Sequence, residues 1–202
     1  MHFSAILLSA LITTATCESI NTTREYHIKT CLKPHQSGKK RFNKLYLNKA
    51  WSTAIDSRDA IFVDDYLKVL SATGFLSPVA NSTVADDNSQ HIFDSAGSPY
   101  IMAMVQAASY DTAWQPVKLR LDMPDITTSR PEAVENGFFI NSTGLQWTSS
   151  PGKAGTSQDS FGGWLVCDWW YDDPQLFYHN KPHNYRSIPK NCAEVYLMPK
   201  YI

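Results

Sequence analysis

Several aspartates offer carboxylates for acid–base chemistry: Asp56, Asp59, Asp64, Asp65, Asp86, Asp87 and Asp168. Glycoside hydrolysis needs two such groups facing each other across a cleft, and spacing along the chain does not supply that geometry. Asp168 is the one acid embedded in apolar sequence, where desolvation would raise its pKa. The ordinary alternative is an aspartate hydrogen-bonded at a strand end. The sequence contains no G-x-S-x-G, no H-E-x-x-H and no phosphate-binding glycine loop. No catalytic residue is assigned, and the chain is expected to be non-enzymatic. His179 and His183 stand four apart, but Pro182 between them breaks the helix that would align them, so loop histidines are the expectation. The acidic stretches lack the spacing of a calcium loop. Neither metal nor cofactor is expected.

Aromatic side chains are the more suggestive group. Trp147, Trp164, Trp169, Trp170, Tyr171, Phe177 and Tyr178 fall on neighbouring expected strands. Exposed, such rings would stack on the apolar face of a sugar; buried, they would supply core volume, the commoner use of aromatics in a β-protein. The candidate ligand-binding residues are Trp169, Trp170, Tyr171 and Tyr178, with Trp170 and Tyr171 at a turn the best placed for exposure. Among the four cysteines, Cys167 lies on the central expected strand and Cys192 opens the last one, which makes them the expected disulfide. Cys31 is then buried and free, or paired with Cys17 if that residue is retained.

The element that must position these groups is Phe161–Tyr178, FGGWLVCDWWYDDPQLFY. Read with period two, Trp164, Val166, Asp168 and Trp170 share one face and Leu165, Cys167 and Trp169 the other. A strand apolar on both faces belongs inside a covered sheet. Gly162-Gly163 predicts a bulge or a close backbone approach, Tyr171–Pro174 a turn and Gln175–Tyr178 the returning strand. Strands are also expected over Glu25–Lys33, Phe42–Leu47, Ser98–Gln106, Trp114–Met123 and Cys192–Met198. A hairpin is expected in which Gly137–Ile140 and Leu145–Trp147 flank Asn141–Gly144. Gly74–Gln90, Pro124–Glu135 and His179–Lys190 read as loops, and Asp64–Ala72 as either a helical turn or a strand. Many short strands without a long amphipathic helix indicate an all-β fold. A single-domain antiparallel β-sandwich, jelly-roll-like, is the expected architecture.

Met1–Cys17 has the form of a secretory signal: a weak n-region, Met1–Ser4, without Lys or Arg, the apolar run AILLSALI and small residues before a cut after Cys17 or after Ala15. The mature domain would then be residues 18–202. Sequons at Asn21, Asn81 and Asn141 fit N-glycosylation along that route. With 18 basic and 19 acidic residues and a net charge of −1, nothing points to nucleic acid or to an anionic membrane surface. After signal cleavage no segment is apolar enough to hold the chain in a membrane.

The segments Phe138–Asn141 with Gly144-Leu145, Gly162–Trp170 (GGWLVCDWW), Pro174–Phe177, Phe42–Leu47 and Cys192 through Pro199 resemble a family of small secreted proteins of filamentous fungi. That family is known as a domain of unknown function, loosely similar to fungal cell-wall-associated β-sandwich proteins. The resemblance covers most of the mature chain and transfers no catalytic residue; Cys31 departs from its usual pattern. The expectation is a monomeric extracellular or cell-wall-associated protein, with polysaccharide or an extracellular protein as partner. A carbohydrate-binding protein using aromatics near Trp170 is the alternative, followed by a glycan-active hydrolase or a host-directed effector.

Overall fold

The period-two patterns become strands almost throughout. A computed structural model describes residues 24–50, 57–65, 67, 72–79, 88–95, 97–106, 113–121, 133–169, 173–181 and 188–202. In chain order these hold β1 (Tyr26–Leu32), β2 (Tyr46–Lys49), β3 (Ser57–Val63), β4 (Thr73–Pro78), β5 (Ser89–Ser95), β6 (Ser98–Val105) and β7 (Trp114–Leu121). There follow β8 (Ala133–Val134), β9 (Phe138–Asn141), β10 (Gly144–Trp147), β11 (Phe161–Asp168), β12 (Pro174–Asn180) and β13 (Cys192–Tyr201). A 3-10 turn, Lys40–Phe42, precedes β2.

Every pairing is antiparallel, and the strands join into one sheet of order β11-β13-β10-β9-β5-β4-β1-β2-β3-β12-β7-β6-β8. Extra pairings of β11 with β12, β13 with β1, β5 with β6 and β3 with β7 make the sheet turn back on itself. The fold is thus all-β and sandwich-like, its layers being stretches of one continuous sheet around a shared core. Tyr26, Ile28, Leu47, Phe62, Phe93, Met102, Phe138, Trp147, Trp164 and Val195 fill that core. Burying side chains of this size stabilises by about 1.5–3 kcal/mol each before conformational entropy is counted.

Strand β11 occupies the middle of this arrangement, between β12 and β13. Trp164, Leu165, Val166 and Cys167 are all buried, so both faces are covered as the sequence requires. The two faces feed different clusters. Trp164 and Val166 enter the main core, while Leu165 and Cys167 join Phe177 and Cys192 in a smaller one flanked by Trp114 and Ile188. The register of β11 on β12 shifts between Phe161 and Gly163, which is the predicted bulge. Gly163 takes φ +125° there, a conformation open to glycine and costly for other residues.

Cys167 lies opposite Cys192 in the β11–β13 register, and the two form the expected disulfide. Its loop spans 25 residues, so the cross-link stabilises by about 3–4 kcal/mol on the chain-entropy estimate.

Five expectations are corrected. The polar stretch read as loop over Gly74–Gln90 contributes most of β4 and the start of β5, because Gly74, Leu76, Ser89 and His91 turn inward on alternate positions. The strand expected over Phe42–Leu47 begins only at Tyr46, the preceding residues closing the 3-10 turn. The loop expected over Pro124–Glu135 includes the short β8, and that over His179–Lys190 begins inside β12. Cys31 is free but exposed rather than buried, since its position on β1 faces away from the core that Ile28 and Thr30 enter. The segment Asp64–Ala72 and the pairing partner proposed at Cys17 fall largely outside the described residues.

Candidate functional site

Two surfaces gather side chains able to contact a ligand. The first is the end of β11. Trp169 follows the strand, shares the face of Leu165 and Cys167, and is 48 % exposed, the only large aromatic besides Tyr201 so open among the described residues. Its ring packs edge-on against Trp114 (centroids 5.2 Å apart) and Phe177 (5.7 Å). Trp114 in turn meets Phe177 at 5.4 Å. Each contact has the T-shaped geometry that aromatic quadrupoles favour. The smaller hydrophobic cluster and the Cys167–Cys192 bridge lie directly beneath, so this ledge of two indoles stands on a rigid base.

Of the remaining predicted binding residues, Tyr178 does not join it. Tyr178 is a core residue: its ring packs on Trp147 at 5.6 Å, and its hydroxyl lies 2.8 Å from the Val105 carbonyl and 2.6 Å from Gln115 Oε1. Burial pushes its pKa up, so it holds its proton and cannot present itself to a ligand. The alternation of β12 decides this, since Tyr178 pairs with Trp164 on the face that enters the main core. Trp170 and Tyr171 lie outside the described residues. Asp168, the one acid in apolar sequence, is half-buried and ion-paired with Arg41, while Asn191 Nδ2 donates to its backbone carbonyl at 2.6 Å. The Arg41 guanidinium thus occupies this carboxylate as its charge partner.

The second surface is a groove of about 350 Å³, missed by sequence reading because five separate segments build it. Phe139, Asn141 and Gln146 come from the β9–β10 hairpin, Gly162 and Gly163 from the bulge, and Tyr196 from β13, with Lys33 and Lys181 at its polar end. Its volume falls within the range of small-ligand pockets, about 300–1,000 Å³. The bulge shapes the groove by close approach: a Cβ on Gly162 would stand 2.4 Å from His179 Nδ1, and one on Gly163 3.2 Å from Lys33 Nζ.

The charged groups of the groove already have hydrogen-bond or ion-pair partners. Lys33 Nζ lies 3.5 Å from Glu194 Oε1, and Lys181 Nζ lies 3.4 Å from the Asp159 carbonyl. The Asp159 carboxylate accepts from the backbone N–H of Ser149, Gly155 and Phe161 at 3.0–3.2 Å, which pins the loop at residues 149–160 across the groove. Burial holds the His179 pKa below its usual value; Glu194 opposes that shift, and Lys33 and Lys181 reinforce it. A groove of mixed charge with half-exposed aromatic side chains suits a neutral polyhydroxylated ligand better than a free anion.

Of the three sequons, Asn21 and Asn81 lie outside the described residues. Asn141 stands exposed at the tip of the β9–β10 hairpin, where its Oδ1 accepts from Thr143 N at 2.8 Å and from Thr143 Oγ1 at 2.7 Å. No group of three or more His, Cys, Asp and Glu side chains among the described residues could hold a metal ion. No helix there is long and apolar enough to cross a membrane.

No curated protein and no solved structure matches the chain. A family model described as a domain of unknown function (DUF7907) matches residues 23–201, which takes in every strand from β1 to β13. The chain therefore belongs to the DUF7907 family.

Proposed function

We propose that this is a secreted, non-catalytic, extracellular or cell-wall-associated protein of a filamentous fungus, and that it contacts polysaccharide through the Trp114–Trp169 ledge. The observation that carries the reading is Trp169, an indole 48 % exposed beside a second indole on a base tied by a disulfide. A large apolar ring left in water on a rigid support favours stacking on the C–H face of a pyranose, because little conformational freedom is lost on binding. The disulfide agrees with an oxidising compartment, and the signal-like N-terminus and the sequons with the same route. Co-sedimentation of the purified protein with insoluble chitin, β-1,3-glucan and cellulose tests the reading. Saturable binding to one of them, weakened tenfold or more in Trp169→Ala with an unchanged circular dichroism spectrum, is expected from the loss of about 1.4 kcal/mol or more of stacking. Equal binding by the variant, or none to any polymer, rejects the ledge as the contact surface.

A further inference from the structure

We propose that Asn141 carries an N-linked glycan whose first N-acetylglucosamine packs on Phe139 and lies in the groove between the β9–β10 hairpin and the β11 bulge, making the glycan a structural part of the fold. The proposal rests on the secretory reading above, since only that route delivers the chain to the glycosylation machinery. Residues two apart on a strand point to the same side. In β9, Phe138 and Ile140 turn into the core and are buried, so Phe139 and Asn141 share the outer face, the ring half-buried and the amide exposed. Across the hairpin, Gln146 stands opposite Phe139 in the register. The sequence Phe139-Ile140-Asn141-Ser142-Thr143 therefore places an aromatic ring one side-chain step from the acceptor amide and on the same side of the sheet.

The acceptor is also presented for modification. The backbone N–H and the hydroxyl of Thr143 donate to Asn141 Oδ1, so these bonds engage the oxygen and not Nδ2, the atom that would be substituted, on a residue that is exposed. Asn141 and Phe139 both line the groove, so a sugar on Nδ2 starts at its mouth with the ring beside it. One face of N-acetylglucosamine is apolar and stacks on Phe139, while its hydroxyl and acetamide groups face the Gln146 amide and, further along, Lys33 and Lys181. Lys33 is already ion-paired with Glu194, so a neutral occupant need not displace that partner, whereas an anion approaching Lys33 would meet Glu194.

The test uses the full chain produced in a eukaryotic secretory host. Mass analysis of the Asn141 peptide is read first; an unmodified peptide from secreted protein overturns the proposal, and protein retained inside the cell instead overturns the secretory reading beneath it. The glycoprotein trimmed to a single N-acetylglucosamine is then compared with Asn141→Gln, Phe139→Ala and the double variant by thermal unfolding. The trimmed glycoprotein is expected to melt about 2–4 °C above Asn141→Gln, the shift that about 1 kcal/mol produces in a domain of this size. Phe139→Ala is expected to cost more in the glycosylated background than in the Asn141→Gln background. A cost equal in both would show Phe139 acting as a packing residue only and overturns the docking. Should Phe139→Ala fail to fold, contacts between the sugar protons and the Phe139 ring in the nuclear Overhauser spectrum of the trimmed wild type decide. Their presence supports the packing; a freely tumbling sugar leaves the groove open for some other occupant and overturns it.

Discussion

At the residue scale, His91 stands out. It is fully buried in β5, its Nε2 lies 3.0 Å from the Tyr26 hydroxyl, and its ring stacks at 4.2 Å on Phe93 with Phe138 at its edge. Burial disfavours the imidazolium and pushes the pKa from its usual 6.5 down to about 3. The unfolded chain takes up this proton near pH 6.5 and the folded chain only near pH 3, so between those values the unfolded state binds more protons. The stability contributed by neutral His91 is therefore complete above pH 6.5, declines as the pH falls, and is exhausted near pH 3. Each pH unit inside that window removes about 1.4 kcal/mol. Urea titrations at pH 7.5 and pH 4.5 are expected to differ by a few kcal/mol in the wild type. His91→Gln, which keeps a polar partner for Tyr26, is expected to be less stable at pH 7.5 and to lose much less on acidification. An unchanged pH difference in that variant would assign the acid sensitivity to other groups.

The element that decides most about the candidate groove is the β9–β10 hairpin, and its tip illustrates what could and could not be read in advance. The flanking apolar residues and the Asn-Ser-Thr-Gly run marked the turn, and Gly144, the first residue of β10 after the Ser142-Thr143 connection, adopts φ +97°, which favours glycine. What the sequence did not show is why no other residue fits. A Cβ at Gly144 would stand 2.2 Å from the Leu197 carbonyl oxygen of β13, a partner more than fifty residues away. Gly144→Ala thus combines backbone strain with a backbone clash and is expected to cost about 3 kcal/mol or more, read as a lower urea midpoint. A cost below 1 kcal/mol would show that the hairpin moves off β13 freely. The same distinction separates the elements that were legible from those that were not. β1, β6, β7, β11 and β13 carry enough Val, Ile, Leu and aromatic residues in alternation to declare themselves. β4, reading TGFLSP, and the Ser89-Gln90 start of β5 look like loop because glycine, serine and proline fill half of β4 and polar residues open β5. Tertiary pairing makes them strands, since β4 meets β5 over six residue pairs and β1 over two. The ledge was half legible: Trp169 is exposed, but its partner Trp114 comes from β7, and Tyr178 belongs to the core. The groove had only local hints in Gly162-Gly163 and the Phe-x-Asn-x-Thr run, because its walls meet through pairings that no local pattern encodes.

Seen as a whole molecule, the sheet is held closed by its last strand. β13 pairs with β1 over its full length from Tyr26 to Leu32, with β11 from Trp164 to Cys167, and with β10 at Leu145. It therefore joins the first strand of the described chain to the central one, and it carries half of the disulfide. Pairings so distant in sequence can form only once most of the chain has been made, and loop-closure entropy makes such topologies slow to fold. Removing Cys192–Tyr201 would strip Ala193, Val195 and Leu197 from the core and leave β1 and β11 with unpaired edges, which invite association with other chains. A chain ending at Asn191 is expected to be insoluble or to lack cooperative unfolding, whereas deletion of Ile202 alone, which is 67 % exposed, should shift the melting temperature by less than about 2 °C. Thermal unfolding followed by near-ultraviolet circular dichroism, which reports the packing of the buried tryptophans, compares the two truncations. A soluble chain ending at Asn191 with a sharp transition would mean that the remaining strands close without β13, and that the disulfide and the last strand serve the ledge rather than the fold.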